Sequence, residues 1–277
     1  MGEKYEENRD VKKMNNSETL KIALKAAVEA GNTLIEHNKD NLKVSKKESL
    51  RDIVTEIDKI TERKIINILK DFNSEITILT EESGISKGKK ENLTWVVDAL
   101  DGTVNYVNNL PYYGVSIALL ENNTPIVGVI FNPVTEELYY GAEGIGVFKN
   151  QKRINVLNKP FEEGLFTVAF SGKNHDPVNR TEEFLKFGEV NDSSRGCLRT
   201  GSAAMNLAYL AEGKFSGCWG KANKNWDISA GILLAKLAGA KIIFSDKNEE
   251  SNLVSYLAAV PSSWEILYEK VGKVIGL

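Results

Sequence analysis

A mixed α and β chain is expected, with helices on an antiparallel sheet in the first half and a mixed, partly parallel α/β sheet in the second. Three patterns predict it. Apolar residues recur at helical spacing near the N-terminal end and again after residue 55. Six short strand-like runs follow between residues 76 and 149, with Asn122-Asn123 and Asn150-Gln151 as turns. Beyond residue 160, strand-like and helix-like segments alternate, the pattern of a sheet with parallel pairs.

The elements follow in order. Residues 1–16 are polar and mixed in charge and are expected to form a flexible leader, without the apolar core of a signal peptide. A helix begins near Ser17 and places Leu20, Leu24, Val28, Gly31, Leu34 and Ile35 on one face. Asn41 to Asp52 is lysine-rich and reads as an exposed, mobile loop. A second helix carries the stripe Ile57, Ile60, Ile65, Ile68, Leu69 and Phe72, and Thr55 with Asp58 has the spacing of its capping box. Strands are expected at Ile76–Leu79, Trp95–Val97, Val115–Leu120, Ile126–Phe131, Leu138–Tyr140 and Val147–Lys149. Their short connections favour antiparallel pairing, giving a first lobe over residues 17–152. The second lobe, residues 153–277, reads as strand Phe166–Phe170, helices Thr181–Phe187, Gly201–Ala211 and Asp227–Leu237, strands Lys241–Phe244 and Tyr256–Val260, and a last helix. That helix opens at Ser262, with Glu265 completing a capping box.

Composition narrows the function. Of 277 residues, 42% are hydrophobic and 26% charged, the balance of a chain that fills a core. The net charge of −3 includes no Lys/Arg block, and no apolar run approaches the roughly 20 residues that span a bilayer. Neither nucleic acid nor membrane is an expected partner, and the cytoplasm is the expected location. Cys197 and Cys218 form no metal-spaced pair or disulfide framework. His37 and His175 leave little for a zinc site or a Ser-His triad. The chemistry is left to carboxylates.

Those carboxylates sit at turns. The apolar run Trp95-Val96-Val97 leads straight into Asp98-Ala99-Leu100-Asp101-Gly102-Thr103, two carboxylates three residues apart followed by a glycine and a hydroxyl. A turn there aims hard oxygen donors at one point, and Gly102 lets backbone approach a ligand, a combination suited to Mg²⁺ and a phosphate. A plain polar turn uses the same residue types. Glu81-Glu82 follows another strand, and Asp227 stands where a helix needs an N-cap. Each alone is as well explained by capping or solvation.

Together, Asp52-Ile-Val-Thr-Glu-Ile-Asp58, Glu81-Glu82, Asp98-Ala-Leu-Asp101-Gly-Thr103 and Trp226-Asp227 stand in the order and spacing of the inositol monophosphatase family, which this chain resembles from about Ser17 to its C-terminus. The resemblance implies a layered α-β-α-β-α sandwich and Mg²⁺-dependent hydrolysis of a phosphate monoester, with about two or three ions. It implies metal ligation by Glu81, Asp98, the Leu100 carbonyl, Asp101 and Asp227, with Asp98 bridging. Thr103, paired with Asp58, would activate a water on the metal for direct attack, with Glu81 also serving catalysis and Glu82 just behind it. Backbone N–H groups at Gly102 and Thr103 would hold the phosphate, with Lys47 and Lys224 as basic partners. Gly201-Ser202-Ala203 would lie beside the sugar. The implied partner is a small phosphorylated metabolite, and the implied assembly a homodimer. The helix Gly201–Ala211 and the apolar strands are candidate interface elements.

Competing readings are weaker. A haloacid-dehalogenase phosphatase needs a carboxylate two residues before Asp101, where this chain has Ala99. A phosphoadenosine phosphate phosphatase is the nearer alternative, but Val104-Asn105-Tyr106 resembles the sugar-phosphate branch. Gly220 occupies the place of a glutamate that often binds inositol hydroxyls. A lysine beside it, Lys221 or Lys224, would suit a second phosphate, as in fructose-1,6-bisphosphate, although a solvated lysine is the plainer reading of either. A non-catalytic phosphometabolite-binding regulator would have to keep an unused cluster of like charges, which is costly.

Overall fold

The computed structural model describes residues 15–37, 44–46, 53–170, 177–245 and 252–277. Met1 to Met14 of the expected leader, together with Lys47, Asp52 and His175, lie outside them. The first described helix, α1 (Asn16–Glu36), is capped by the Asn15 side chain, which accepts from the Ser17 N–H at 3.0 Å. It buries Leu20, Ala23, Ala27, Ala30 and Leu34, whereas Ile35, expected on the same face, is 50% exposed. A step of 100° per residue from Leu34 turns it out of the stripe.

The segment expected as a loop between the first two helices contains a strand. β1 (Val44–Lys46) pairs antiparallel with β2 (Ile53–Thr55), which leads into α2 (Glu56–Phe72). The α2 stripe of Ile57, Ile65 and Leu69 is buried as expected, and so are three polar residues on its face, Asp58, Thr61 and Glu62.

An eight-stranded sheet follows: β3 (Ile76–Thr80), β4 (Gly84–Ser86), β5 (Lys90–Asp101), β6 (Gly114–Glu121), β7 (Thr124–Asn132), β8 (Glu137–Ala142), β9 (Gly146–Lys149) and β10 (Lys152–Arg153). Its order is β10-β9-β8-β7-β6-β5-β3-β4. The asparagine turns are those read from the sequence. Asn122 and Asn123 have φ of 49° and 62°, and Asn150 and Gln151 44° and 70°, the left-handed pairs that join tight hairpins. One pairing departs from the antiparallel expectation: β3 runs parallel to β5, Thr80 opposite Val97. The crossover through β4 and the chain to Lys90 makes this possible, and it brings the C-terminal ends of two strands side by side.

The second sheet has the order β12-β11-β13-β15-β14, with β11 (Leu165–Ala169), β12 (Gly196–Leu198), β13 (Gly217–Lys224), β14 (Lys241–Phe244) and β15 (Leu253–Ala259). Pairs β11–β12 and β11–β13 are parallel, and β13–β15 and β14–β15 antiparallel. Central β13 escaped the sequence reading because Gly217 and Gly220 break its propensity. Burial of Cys218 and Trp219 stabilises it instead.

Helices α4 (Pro177–Asp192), α5 (Ala203–Ala211), α6 (Asn225–Leu237) and α7 (Trp264–Ile275) complete five layers. α1 and α2 cover one face of the large sheet, α5 and α6 lie between the sheets, and α4 and α7 cover the far face of the small one. In the middle layer a Cβ on Gly231 of α6 would stand 2.4 Å from Leu207 Cβ of α5, so glycine sets that close approach. α5 is therefore core: Ala203 to Ala208, Leu210 and Ala211 are all buried, and the expected subunit contact through this helix is replaced by packing within the chain. The expected capping box on the last helix also does not form. Ser262 lies in a 3₁₀ turn with its hydroxyl on the Lys159 carbonyl, and Glu265 faces Lys241 at 3.3 Å. No helix among the described residues is long and apolar enough to cross a membrane.

Candidate active site

In a regular strand, residues three apart point to opposite faces. β5 avoids this near its end. Asp98 pairs with Ser116 of β6, and Asp101 with Gly114, so three steps on β5 match two on its partner. The extra residue puts Ala99 and Leu100 together against the α1–α2 side and returns Asp101 to the side of Asp98. Both carboxylates then face the middle layer. The Leu100 N–H donates to Asp98 Oδ1 at 2.9 Å, and Asp101 Oδ2 accepts from the Ala204 N–H at 2.7 Å and from the Ser202 hydroxyl.

Gly102 follows with φ of 97°, and a Cβ there would stand 3.1 Å from both the Tyr112 carbonyl and Tyr113 Cβ. Only glycine fits this turn into α3 (Thr103–Val107) without strain. It delivers the Thr103 hydroxyl to 3.3 Å from Asp58 Oδ1 and 3.2 Å from the Leu100 carbonyl. Asp58 does two jobs at once. Its Oδ2 accepts from the Thr55 N–H at 2.9 Å and from the Thr55 hydroxyl, the expected capping arrangement, which leaves Oδ1 for Thr103.

The parallel pairing of β3 with β5 puts Thr80 opposite Val97. Glu81, which follows, is near enough for its charge to act on Asp98, though it is not one of the three carboxylates that cluster most closely. The turn after Thr80 is held from α2, where Glu62 accepts from the Glu82 N–H at 2.8 Å and the Ser83 N–H at 2.9 Å. The third element is α6. Asp227 lies in its first turn rather than at its N-cap, which is Lys224. The Ser116 hydroxyl donates to the Trp226 carbonyl at 3.1 Å, tying that turn to the strand position opposite Asp98.

Carboxylate oxygens of Asp98, Asp101 and Asp227 thus lie within 4.8 Å of one another. Burial and then the charges of Glu81, Asp227 and Asp101 push Asp98 well above its ordinary range. Burial with the charges of Asp101 and Glu81 does the same to Asp227, opposed by Lys224. Burial holds Asp101 at about 6 despite its hydrogen bonds from Ser202 and Ala204. Burial also raises Asp58, opposed by Thr55. The donor set fits Mg²⁺: it is all oxygen, and opposite ligands of an octahedral ion at about 2.1 Å stand about 4.2 Å apart, within the span of these three side chains.

The remaining expected residues divide. Gly201 has φ of 92° and packs on the Asn105 amide, which donates to the carbonyls of Tyr112 (2.6 Å) and Thr200 (2.9 Å). Ser202 is buried on Asp101 and accepts from the Met205 N–H at 3.2 Å, capping α5, and Ala203 is buried beside it. Lys224 is exposed at the head of α6, its ammonium 5.6 Å from the Trp226 ring centroid. Lys221 is turned away, onto the Val274 carbonyl at 2.8 Å. At Gly220, a Cβ would lie 1.9 Å from Asn223 Oδ1 and 2.8 Å from Tyr256 Cε1, so the position carries no side chain because two neighbours fill its space. Glu62 and the Ser202 contact went unread in the sequence. Asp58 and Glu62 are four residues apart on one helical face, and that spacing from a candidate site carboxylate is the one signal in the sequence that pointed to Glu62.

A sequence model of the inositol monophosphatase family matches residues 15–275. The chain is 38% identical over 229 residues to a Pasteurella multocida protein named Nus factor SuhB, covering 80% of this chain and 84% of that one. It is 33% identical over 233 residues to the fructose-1,6-bisphosphatase/inositol-1-monophosphatase of Aquifex aeolicus, covering 81% and 85%. Among solved structures, an inositol monophosphatase from Anabaena superposes with a TM-score of 0.79 at 30% identity, covering 94% of this chain and 97% of that one.

Proposed function

Given that the chain belongs to the inositol monophosphatase family, we propose that it hydrolyses a phosphate monoester of a small sugar or polyol with Mg²⁺ as cofactor. The observation that carries this reading is the convergence of Asp98 and Asp101, from the end of β5, with Asp227, from the first turn of α6, beside the Thr103–Asp58 pair. Glu81, Asp98, Asp101, Asp227 and the Leu100 carbonyl would hold the cation. When bound, Mg²⁺ neutralises phosphate charge, makes water more acidic and stabilises the leaving oxygen.

The chain's own groups do the rest. The Thr103 hydroxyl has one proton and two acceptors; with the Leu100 carbonyl holding the cation, the proton would go to Asp58. Its oxygen is then free to accept from the attacking water and aim it in line with the scissile bond, and burial suits Asp58 to take up proton density. Backbone N–H groups at Gly102 and Thr103 hold the phosphate, Gly201, Ser202 and Ala203 border the sugar, and Lys224 stands at the rim. Lys47 lies outside the described residues and keeps its place as an expected basic partner. The protein acts in the cytoplasm as a homodimer.

The test is phosphate release from inositol monophosphate, fructose-1,6-bisphosphate and phosphoadenosine phosphate, with and without Mg²⁺. Mg²⁺-dependent turnover of a sugar or polyol substrate supports the reading, and turnover of the nucleotide alone moves the chain to the nucleotidase alternative. A second reading, a Nus factor role, is favoured by the name of the 38% identical relative. Phosphometabolite binding without turnover would instead favour a non-catalytic phosphometabolite-binding regulator.

A further inference from the structure

The geometry points to Glu62 as the positioning residue for the Glu81 side of the proposed metal centre, an inference that rests on the reading above. Glu62 is 1% exposed, and its recorded partners among the described residues are hydrogens of one turn rather than a cation. Oε2 accepts from the Glu82 N–H at 2.8 Å, and Oε1 from the Ser83 N–H at 2.9 Å and the Ser83 hydroxyl. A buried carboxylate is an expensive way to close a turn that neutral side chains close elsewhere. Its use here follows from what the turn carries. Glu81 leaves β3 immediately before these two amides, and its charge acts on both Asp98 and Asp227. Fixing the next two N–H groups fixes the direction in which Glu81 leaves the strand.

The same helix sets the other half of the centre. Asp58, one turn before Glu62 on α2, receives the Thr103 hydroxyl, and Glu82 lies near enough for its charge to act on Asp58. One rigid helical turn therefore fixes the relation between the hydroxyl that handles water and the carboxylate that completes the cation site. Side chains behind metal ligands commonly change affinity by about 10–100-fold when removed.

The experiment compares the metal-depleted full chain with its Glu62→Ala and Glu62→Gln variants by Mn²⁺ titration, read by electron paramagnetic resonance. Glu62→Gln keeps the volume but presents an NH₂ group to one of the two backbone donors, so it opens the turn without a cavity. The expected result is a Mn²⁺ dissociation constant raised about 10–100-fold by Glu62→Ala, with Glu62→Gln between it and the parent. The half-saturating Mg²⁺ for turnover should rise by the same factor, while the substrate KM at saturating Mg²⁺ holds. A simple loss of stability would lower thermal midpoints without this metal dependence. Should Glu62→Ala fail to fold, Glu62→Gln decides alone. Folded variants with parental Mn²⁺ affinity overturn the role of Glu62 only, whereas a parent that binds no Mn²⁺ overturns the metal centre itself.

Discussion

The Thr103 hydroxyl stands 3.3 Å from Asp58 Oδ1, joining the start of α3 to the first turn of α2 across 45 residues of sequence. Asp58 also caps α2, so the two effects must be separated. Thr103→Val leaves the cap intact and removes only the hydroxyl. It is expected to lower kcat by about 10²–10⁴-fold with metal affinity unchanged. Asp58→Asn should show a similar loss together with about 1 kcal/mol of stability, because the cap is weakened too. Steady-state kinetics beside urea unfolding separates them.

Asp98→Asn keeps an oxygen for the Leu100 N–H but removes one of the converging charges. In the absence of divalent ions its thermal midpoint should equal or exceed that of the parent. Added Mg²⁺ should raise the midpoint of the parent and leave that of the variant unmoved, as read by differential scanning calorimetry.

The same charges set a pH dependence. The native pKa of Asp101 is raised from 3.8 to about 6, and those of Asp98 and Asp227 are raised as well. The native state thus binds more protons than the unfolded chain. The stability these groups contribute is full below about pH 4 and is lost as pH rises through about 6 and beyond. Mg²⁺ requires the ionised forms, so the stabilisation it confers should grow between pH 5 and about 7. A Mg²⁺-induced midpoint shift that shrinks over this window would contradict the assignment.

A second charged cluster has the opposite sign. Glu137 on β8 receives Lys149 at 2.6 Å, Lys214 at 2.9 Å, Tyr209 at 2.8 Å and Thr135 at 2.9 Å, while Glu212 after α5 receives Tyr139, Lys149 and Lys214. Burial alone would raise Glu137, but these hydrogen bonds outweigh it and hold it at about 2 against an ordinary 4.5. Its stabilisation is present above about pH 4.5 and is lost as pH falls towards 2. Glu137→Gln should cost on the order of 2–3 kcal/mol at pH 7 and flatten the acid limb of the stability profile. A parallel shift at every pH would contradict this.

The packing at Gly220 yields a further expectation. Gly220→Ala forces Asn223 and Tyr256 apart and should destabilise by about 1–3 kcal/mol in urea unfolding. Unchanged stability would show that Asn223 moves aside freely.

Much of this was legible because it is local. The asparagine turns, the Thr55–Asp58 cap and the Asp98-to-Thr103 turn are written in adjacent residues and appear in the structure as read. The resemblance supplied the layers. The missing parts depend on distant partners. The parallel register of β3 with β5 follows from a crossover, and β13 is held by burial despite its glycines. The direction of Lys221 follows from a carbonyl 53 residues away. Glu62 went unseen because a glutamate on a helix ordinarily faces water, and only the arrival of the Glu82 and Ser83 amides shows why this one does not.

The most direct measurement is the anomalous difference map of crystals grown with Mn²⁺ and inorganic phosphate, collected at the manganese edge. The account predicts peaks bounded by Glu81, Asp98, Asp101 and Asp227, with phosphate density towards Gly102 and Thr103. Fully occupied Mn²⁺ elsewhere, with no peak among these four side chains, would contradict it.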